Sequence, residues 1–159
     1  MNFQQMMAAE SSSTESSELT QHLERILNIK EYKPKVLVVE DDLDMVEIVE
    51  KILKSINPHT EVSWASSAEE AHFRLHSQKI HNWDSPYDLI IADIFLEGDE
   101  TGLDLFRKCQ GLYPDIPFIA TSSTSIDKFY SKYGFSKIPL FLAKPVQYSE
   151  WKSILQDLL

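Results

Sequence analysis

Five short apolar runs recur along the chain, separated by longer stretches in which apolar residues return every three or four positions. The runs are KVLVV at Lys35–Val39, EVSWA at Glu61–Ala65, the centre of DLIIAD at 88–93, PFIAT at 117–121 and LFLA at Leu140–Ala143. Leu89, Ile90 and Ile91 show no polar alternation, as a parallel strand covered on both faces by helices requires. Between the runs, Met45, Val46, Ile48, Val49, Ile52, Leu53 and Ile56 carry helical spacing. So do Ala68, Ala71, Phe73 and Leu75 to about Lys79, then Leu103, Leu105, Phe106, Cys109 and Leu112. A shorter helix is predicted on Ile126, Phe129, Tyr130 and Tyr133, ending at Gly134, and a last one from Ser149 on Trp151, Ile154, Leu155, Leu158 and Leu159. Strands alternating with helices in this way predict an α/β fold with a doubly wound five-stranded parallel sheet and right-handed crossovers.

The first 33 residues break the pattern. SSSTESS and its surroundings in 1–17 hold too little apolar surface to offset ordering entropy and are expected to be disordered. Leu19, Leu23, Ile26 and Leu27 then form one apolar stripe of a short amphipathic helix, which either docks on its own domain or serves a partner or a second copy. The domain proper is expected over 34–159.

Composition narrows the class. With 159 residues, 43% of them hydrophobic, one core is affordable. A formal net charge of -10, from 15 Lys+Arg against 25 Asp+Glu, argues against direct nucleic-acid binding and favours a cation or a basic partner. The single Cys109 has no intrachain partner and reads as a buried thiol in a reducing compartment. No run approaches the about 18 apolar residues of a membrane span, and 1–10 lacks the features of a signal peptide, so a cytoplasmic location is expected without membrane insertion. His72 and His76 stand four apart on a predicted helix but lack further ligands in register, and read as surface residues.

In open parallel sheets, chemistry collects beyond the carboxyl ends of the strands. There the chain places Glu40 and Asp41 after the first run, Asp93 after the third, Thr121 or Ser122 after the fourth and Lys144 after the fifth. Asp42 and Asp44 are explained as acids in the first turn of the following helix. Three carboxylates on one rim repel unless a divalent cation or Lys144 neutralises them. Hard oxygen donors with an incomplete shell suit Mg²⁺, and a carboxylate beside Mg²⁺ is a competent nucleophile toward phosphorus. Lysine and hydroxyl then serve the oxygens of a transferred phosphoryl group.

VLVVEDD, DLIIADI, PFIATSS and LFLAKP, in this order and spacing, resemble the receiver domain of two-component response regulators over about 35–159. The resemblance implies a flavodoxin-like sheet of order 2-1-3-4-5. It further implies Asp93 as phosphoacceptor, Glu40 and Asp41 as the acidic pair, and Mg²⁺ held by these three with the main-chain carbonyl of Phe95. Lys144 corresponds to the phosphate-binding lysine, with a cis bond to Pro145. Counting from Pro117 assigns Ser122 as the switch hydroxyl, with Thr121 one place away and facing the other side; Phe141 matches the aromatic switch position. Glu97 stands where the family often has proline, and Gly102 falls one place late, so the loop after Asp93 is expected to be reshaped.

The implied function is a phosphorylation-dependent signalling switch charged by a sensor histidine kinase or phosphotransfer protein. It is no enzyme beyond self-phosphorylation and slow autodephosphorylation. A stand-alone receiver is expected, signalling to a target protein or a second copy through the face of the fourth helix, fifth strand and last helix, which carries Phe129, Tyr130, Tyr133, Phe141, Tyr148 and Trp151, some of these rings being core. One alternative is an interaction module of the same fold that is never phosphorylated. Another, a small phosphohydrolase, would need a second acid two residues after the nucleophile, where Phe95 stands.

Overall fold

The computed structural model describes residues 32–81, 86–124 and 139–159. Its strands are β1 (Lys35–Val39), β2 (Glu61–Ala65), β3 (Leu89–Asp93), β4 (Phe118–Ser122) and β5 (Leu140–Ala143); its helices are α1 (Leu43–Ile56), α2 (Ala68–His81), α3 (Gly102–Leu112) and α4 (Tyr148–Gln156). The predicted helices at 19–27 and 126–134 lie outside the described residues. All described elements belong to the unit Lys33–Leu159.

Each strand pairs in parallel with its neighbours, giving one five-stranded sheet of order β2-β1-β3-β4-β5. β1 and β3 are central and apolar on both faces because helices cover both sides. Val36, Val38, Leu89, Ile91, Ile119 and Leu142 meet Val46, Val49, Ile52 and Leu53 of α1 with Trp151 and Leu155 of α4. Leu37, Val39, Ile90, Ala92, Phe118 and Ala120 meet Ala68, Ala71 and Leu75 of α2 with Leu103, Leu105, Phe106 and Cys109 of α3. Each fully buried leucine or isoleucine contributes about 1.5–3 kcal/mol relative to exposure.

Helix starts follow from local chemistry. Asp42 is extended and its carboxylate accepts the N–H of Asp44 at 2.9 Å, so it caps α1. Thr101 and Asp104 form a reciprocal capping box at α3.

Several expectations shift. β4 runs one residue further than 117–121 suggested and includes Ser122 in the ladder. α2 extends to His81. Phe73 is 71% exposed: it sits off the Ala68, Ala71, Leu75 stripe, so the helix turns it outward. His72 is half-buried and His76 exposed, and neither belongs to a metal-binding group among the described residues. Trp151 is no surface aromatic; it is fully buried between sheet and helices. No helix of the described residues is long and apolar enough to cross a membrane.

Candidate functional site

The strand ends bring four of the predicted residues into one cluster. Glu40 follows β1, Asp93 ends β3, and Lys144 follows β5; these elements sit on either side of the switch point between the neighbouring strands β1 and β3, where a parallel sheet opens a crevice. The Lys144 ammonium donates to Asp93 Oδ2 at 2.6 Å and to Glu40 Oε2 at 2.7 Å. Glu40 and Asp93 are buried at 4% and 8% exposure, whereas Asp41 beside them is exposed. Carboxylate oxygens of Glu40, Asp41 and Asp93 lie within 4.8 Å of one another.

Electrostatics follow from that geometry. Burial pushes the Glu40 carboxyl above its ordinary range, against the hydrogen bond and charge of Lys144, while Asp93 adds to the rise. Burial alone would lower Lys144, but its hydrogen bonds to Asp93 and Glu40 outweigh it and hold the amine above its ordinary value. The lysine is therefore charged at neutral pH and bridges two acids. The third, Asp41, finds no hydrogen-bond or ion-pair partner among the described residues.

Three hard oxygen donors, one of them solvent-facing, fit Mg²⁺, which keeps waters and prefers few protein ligands. Phe95 stands two residues past Asp93 with its N–H donating to Asp93 Oδ1 at 3.2 Å and its side chain 52% exposed. Lys144 is joined to Pro145 by a cis peptide bond.

The register separates the two candidate hydroxyls. Phe118 and Ala120 of β4 point into the core under α2 and α3, and Ile119 into the opposite one. Strand alternation then puts Ser122 with Ala120 and Thr121 with Ile119. Phe141 packs against the same core as Ala120, so Ser122 and Phe141 share a face that Thr121 does not. Ser122 is buried, its carbonyl accepts the Lys144 N–H at 2.8 Å, and its hydroxyl accepts the Thr124 N–H at 3.0 Å. Of the six aromatics expected on one surface, Tyr148 is exposed and donates to Ser55 Oγ, Phe141 is half-buried and Trp151 is core; Phe129, Tyr130 and Tyr133 lie outside the described residues.

Four residues beyond the strand ends shape the rim: Glu69, Gly98, Gly102 and Trp64. Glu69 at the start of α2 accepts the N–H groups of Asp99 and Glu100, each at 3.1 Å, bracing the loop after β3. The Glu69 carboxyl lies below its ordinary range, held there first by its own backbone N–H and the Ser67 hydroxyl, with the Glu100 and Asp99 N–H groups adding less. Gly98 in that loop has φ of +128°, which favours glycine. Gly102 has to be small, because a Cβ there would fall 1.9 Å from the Asp93 carbonyl oxygen. Trp64 on β2 donates its indole N–H to the Glu40 carbonyl at 2.6 Å. Glu69 reads in sequence as one more first-turn acid and Gly102 as a loop glycine; only the fold brings them to the site.

Residues 36–156 match the family described as the response regulator receiver domain. The chain is 30% identical over 127 residues to the two-component response regulator ARR12 of Arabidopsis thaliana, 79% of this chain but 20% of that protein. It therefore spans about one fifth of that relative's length. The receiver domain of NtrX from Brucella abortus shares the fold with a TM-score of 0.64 at 22% identity, covering 78% of this chain and 97% of that one. The chemotaxis response regulator CheY4 of Vibrio cholerae gives 0.64 at 22% identity, with 80% of this chain and 100% of that one covered.

Proposed function

The chain belongs to the response regulator receiver family, and from that premise we propose that it is a phosphorylation switch whose acceptor is Asp93. The single observation that carries this reading is the Lys144 ammonium bridging Asp93 and Glu40 at 2.6 and 2.7 Å, inside a cluster of three carboxylates. A structural salt bridge would need one acid. Here two buried acids and a third, unpaired one share the rim.

An Asp93 carboxylate oxygen attacks phosphorus of a phosphohistidine on a histidine kinase or phosphotransfer protein. The phosphorus–nitrogen bond breaks, its electron pair stays on the imidazole, and an acyl phosphate forms. Lys144, already charged and within reach of Asp93, follows the negative oxygens of the transferred group. Glu40, Asp41 and Asp93, with the Phe95 carbonyl, would hold Mg²⁺, which would supply positive charge to offset the acids and the phosphoryl oxygens. Ser122 is the hydroxyl that turns to the phosphoryl group, and Phe141 on the same face responds by moving inward, so the surface of β5 and α4 reports the state of Asp93 to a target protein or a second copy.

The test is acyl-phosphate labelling. A small acyl-phosphate donor should label the wild type only with Mg²⁺ present, and Asp93→Asn should take no label. Equal labelling of the variant, or indifference to a chelator, overturns the assignment.

A further inference from the structure

Beyond the side chains that touch the phosphoryl group or the cation, we propose that Trp64 is a positioning residue for the acidic pair: its indole N–H holds the carbonyl of the Glu40–Asp41 peptide. The inference rests on the phosphoacceptor reading above.

The strand ladder explains why a side chain is needed there. β1 and β2 run in register with Val38 opposite Trp64 and Val39 opposite Ala65, and the Glu40 N–H still reaches the Ala65 carbonyl at 3.0 Å. Past Ala65 the chain leaves the sheet to start α2 at Ala68, so no β2 backbone donor meets the next group, the Glu40 carbonyl. The Trp64 indole supplies it at 2.6 Å. Two consecutive residues of β2 thus clamp the two main-chain groups of Glu40, one through backbone and one through side chain.

The clamp matters because of what hangs from it. Asp41 has no partner for its carboxylate among the described residues, so the peptide that precedes it and the turn that follows set its position. The turn is fixed from the far side, where Asp42 caps α1. The indole fixes the near side. Its ring packs against the core beneath α1 and α4, and a tryptophan has only two side-chain torsions to settle, so the donor is placed before any ligand arrives. Removing the N–H leaves a part-buried carbonyl unmet and frees the Glu40–Asp41 peptide to rotate. Packing alone would make any large apolar side chain equivalent at 64. Positioning makes the N–H itself count.

Trp64→Phe keeps a ring and removes the donor. By titration calorimetry it should bind Mg²⁺ about threefold to tenfold more weakly than the wild type, the span of one lost neutral hydrogen bond. Its melting temperature in chelator should fall by a few degrees, as one unmet carbonyl costs, with the unfolding transition still cooperative. In wild-type ¹H–¹⁵N spectra the Trp64 indole signal, identified by its loss in the variant from among three tryptophans, should shift with the calorimetric Mg²⁺ midpoint. If Trp64→Phe does not fold, the sulfur isostere of tryptophan, which lacks only the N–H, takes its place with the same expectation. Equal Mg²⁺ affinity in the donor-free protein, or an indole signal that ignores Mg²⁺, overturns this inference while wild-type labelling of Asp93 stands. A wild type that neither binds Mg²⁺ nor labels overturns the phosphoacceptor reading and this inference together.

Discussion

Phe95 should set the lifetime of an acyl phosphate by what it cannot do. In the family that its motifs resemble, the residue two after the acceptor influences the attacking water, and Phe95 presents an exposed ring with no side-chain polar group there. Hydrolysis of the acyl phosphate should be slow. Phe95→Asn should speed it, measured as loss of label after removal of donor; an unchanged or slower rate removes this side chain from the mechanism. Cys109 makes the opposite kind of statement, an inert group in a packed helix. Burial pushes its thiol up to about 12 from an ordinary 9.0. The folded state therefore holds the proton more tightly than the unfolded chain. That contribution is complete below the ordinary value and is lost as pH climbs toward the folded one. At pH 8 the folded protein should resist iodoacetamide, while the denatured chain reacts as a free thiol does. Rapid alkylation of the native protein would place Cys109 outside the core.

At the scale of elements, α3 begins where the reshaped loop ends, and its start depends on the Thr101–Asp104 box. The Thr101 hydroxyl is the first cause of the lowered Asp104 carboxyl, so the box is intact above the ordinary carboxylate value and fails as pH falls through the folded one. Thr101→Ala should cost about 1 kcal/mol in urea unfolding. A loss near zero would mean that the braces from Glu69 hold the loop without the cap. Most strands are legible because they are short, nearly unbroken apolar runs whose ends fix the carboxyl edge, whereas β2 is interrupted by Ser63 and only half-buried. The helix faces are less legible. Phe73 counts toward an apolar stripe when hydrophobicity is summed without its angle, and Trp151 reads in sequence as either core or interface because aromatics serve both. Counting from Pro117 assigns Ser122, and the face it shares with Phe141 follows from a one-residue alternation that strand pairing reads directly. Trp64 and Glu69 could not have been found by reading strand ends, since each acts from a neighbouring element on a backbone group.

For the whole molecule, the charge of -10 joins the three acids of the rim in favouring a cation. Folding gathers Glu40, Asp41 and Asp93 within 4.8 Å, and Lys144 reaches two of them, which leaves Asp41 uncompensated. The unfolded chain relaxes that repulsion. Mg²⁺ should bind the gathered set and not the dispersed one, so at a hundred times its dissociation constant it should add about 2.7 kcal/mol of stability. For a domain of this size that is a rise of roughly 5–10 °C in melting temperature. Asp41→Asn separates the two contributions by their signs. Without Mg²⁺ it removes a repelling charge that has no ion-pair partner, so the variant should melt at or above the wild-type temperature. With millimolar Mg²⁺ it lacks a ligand, so most of the rise should vanish. NaCl at matched ionic strength controls for screening, which would act on all surface charges alike. If the wild type gains no more from Mg²⁺ than from NaCl, or if Asp41→Asn gains as much as the wild type, the acids are gathered for a reason other than a cation.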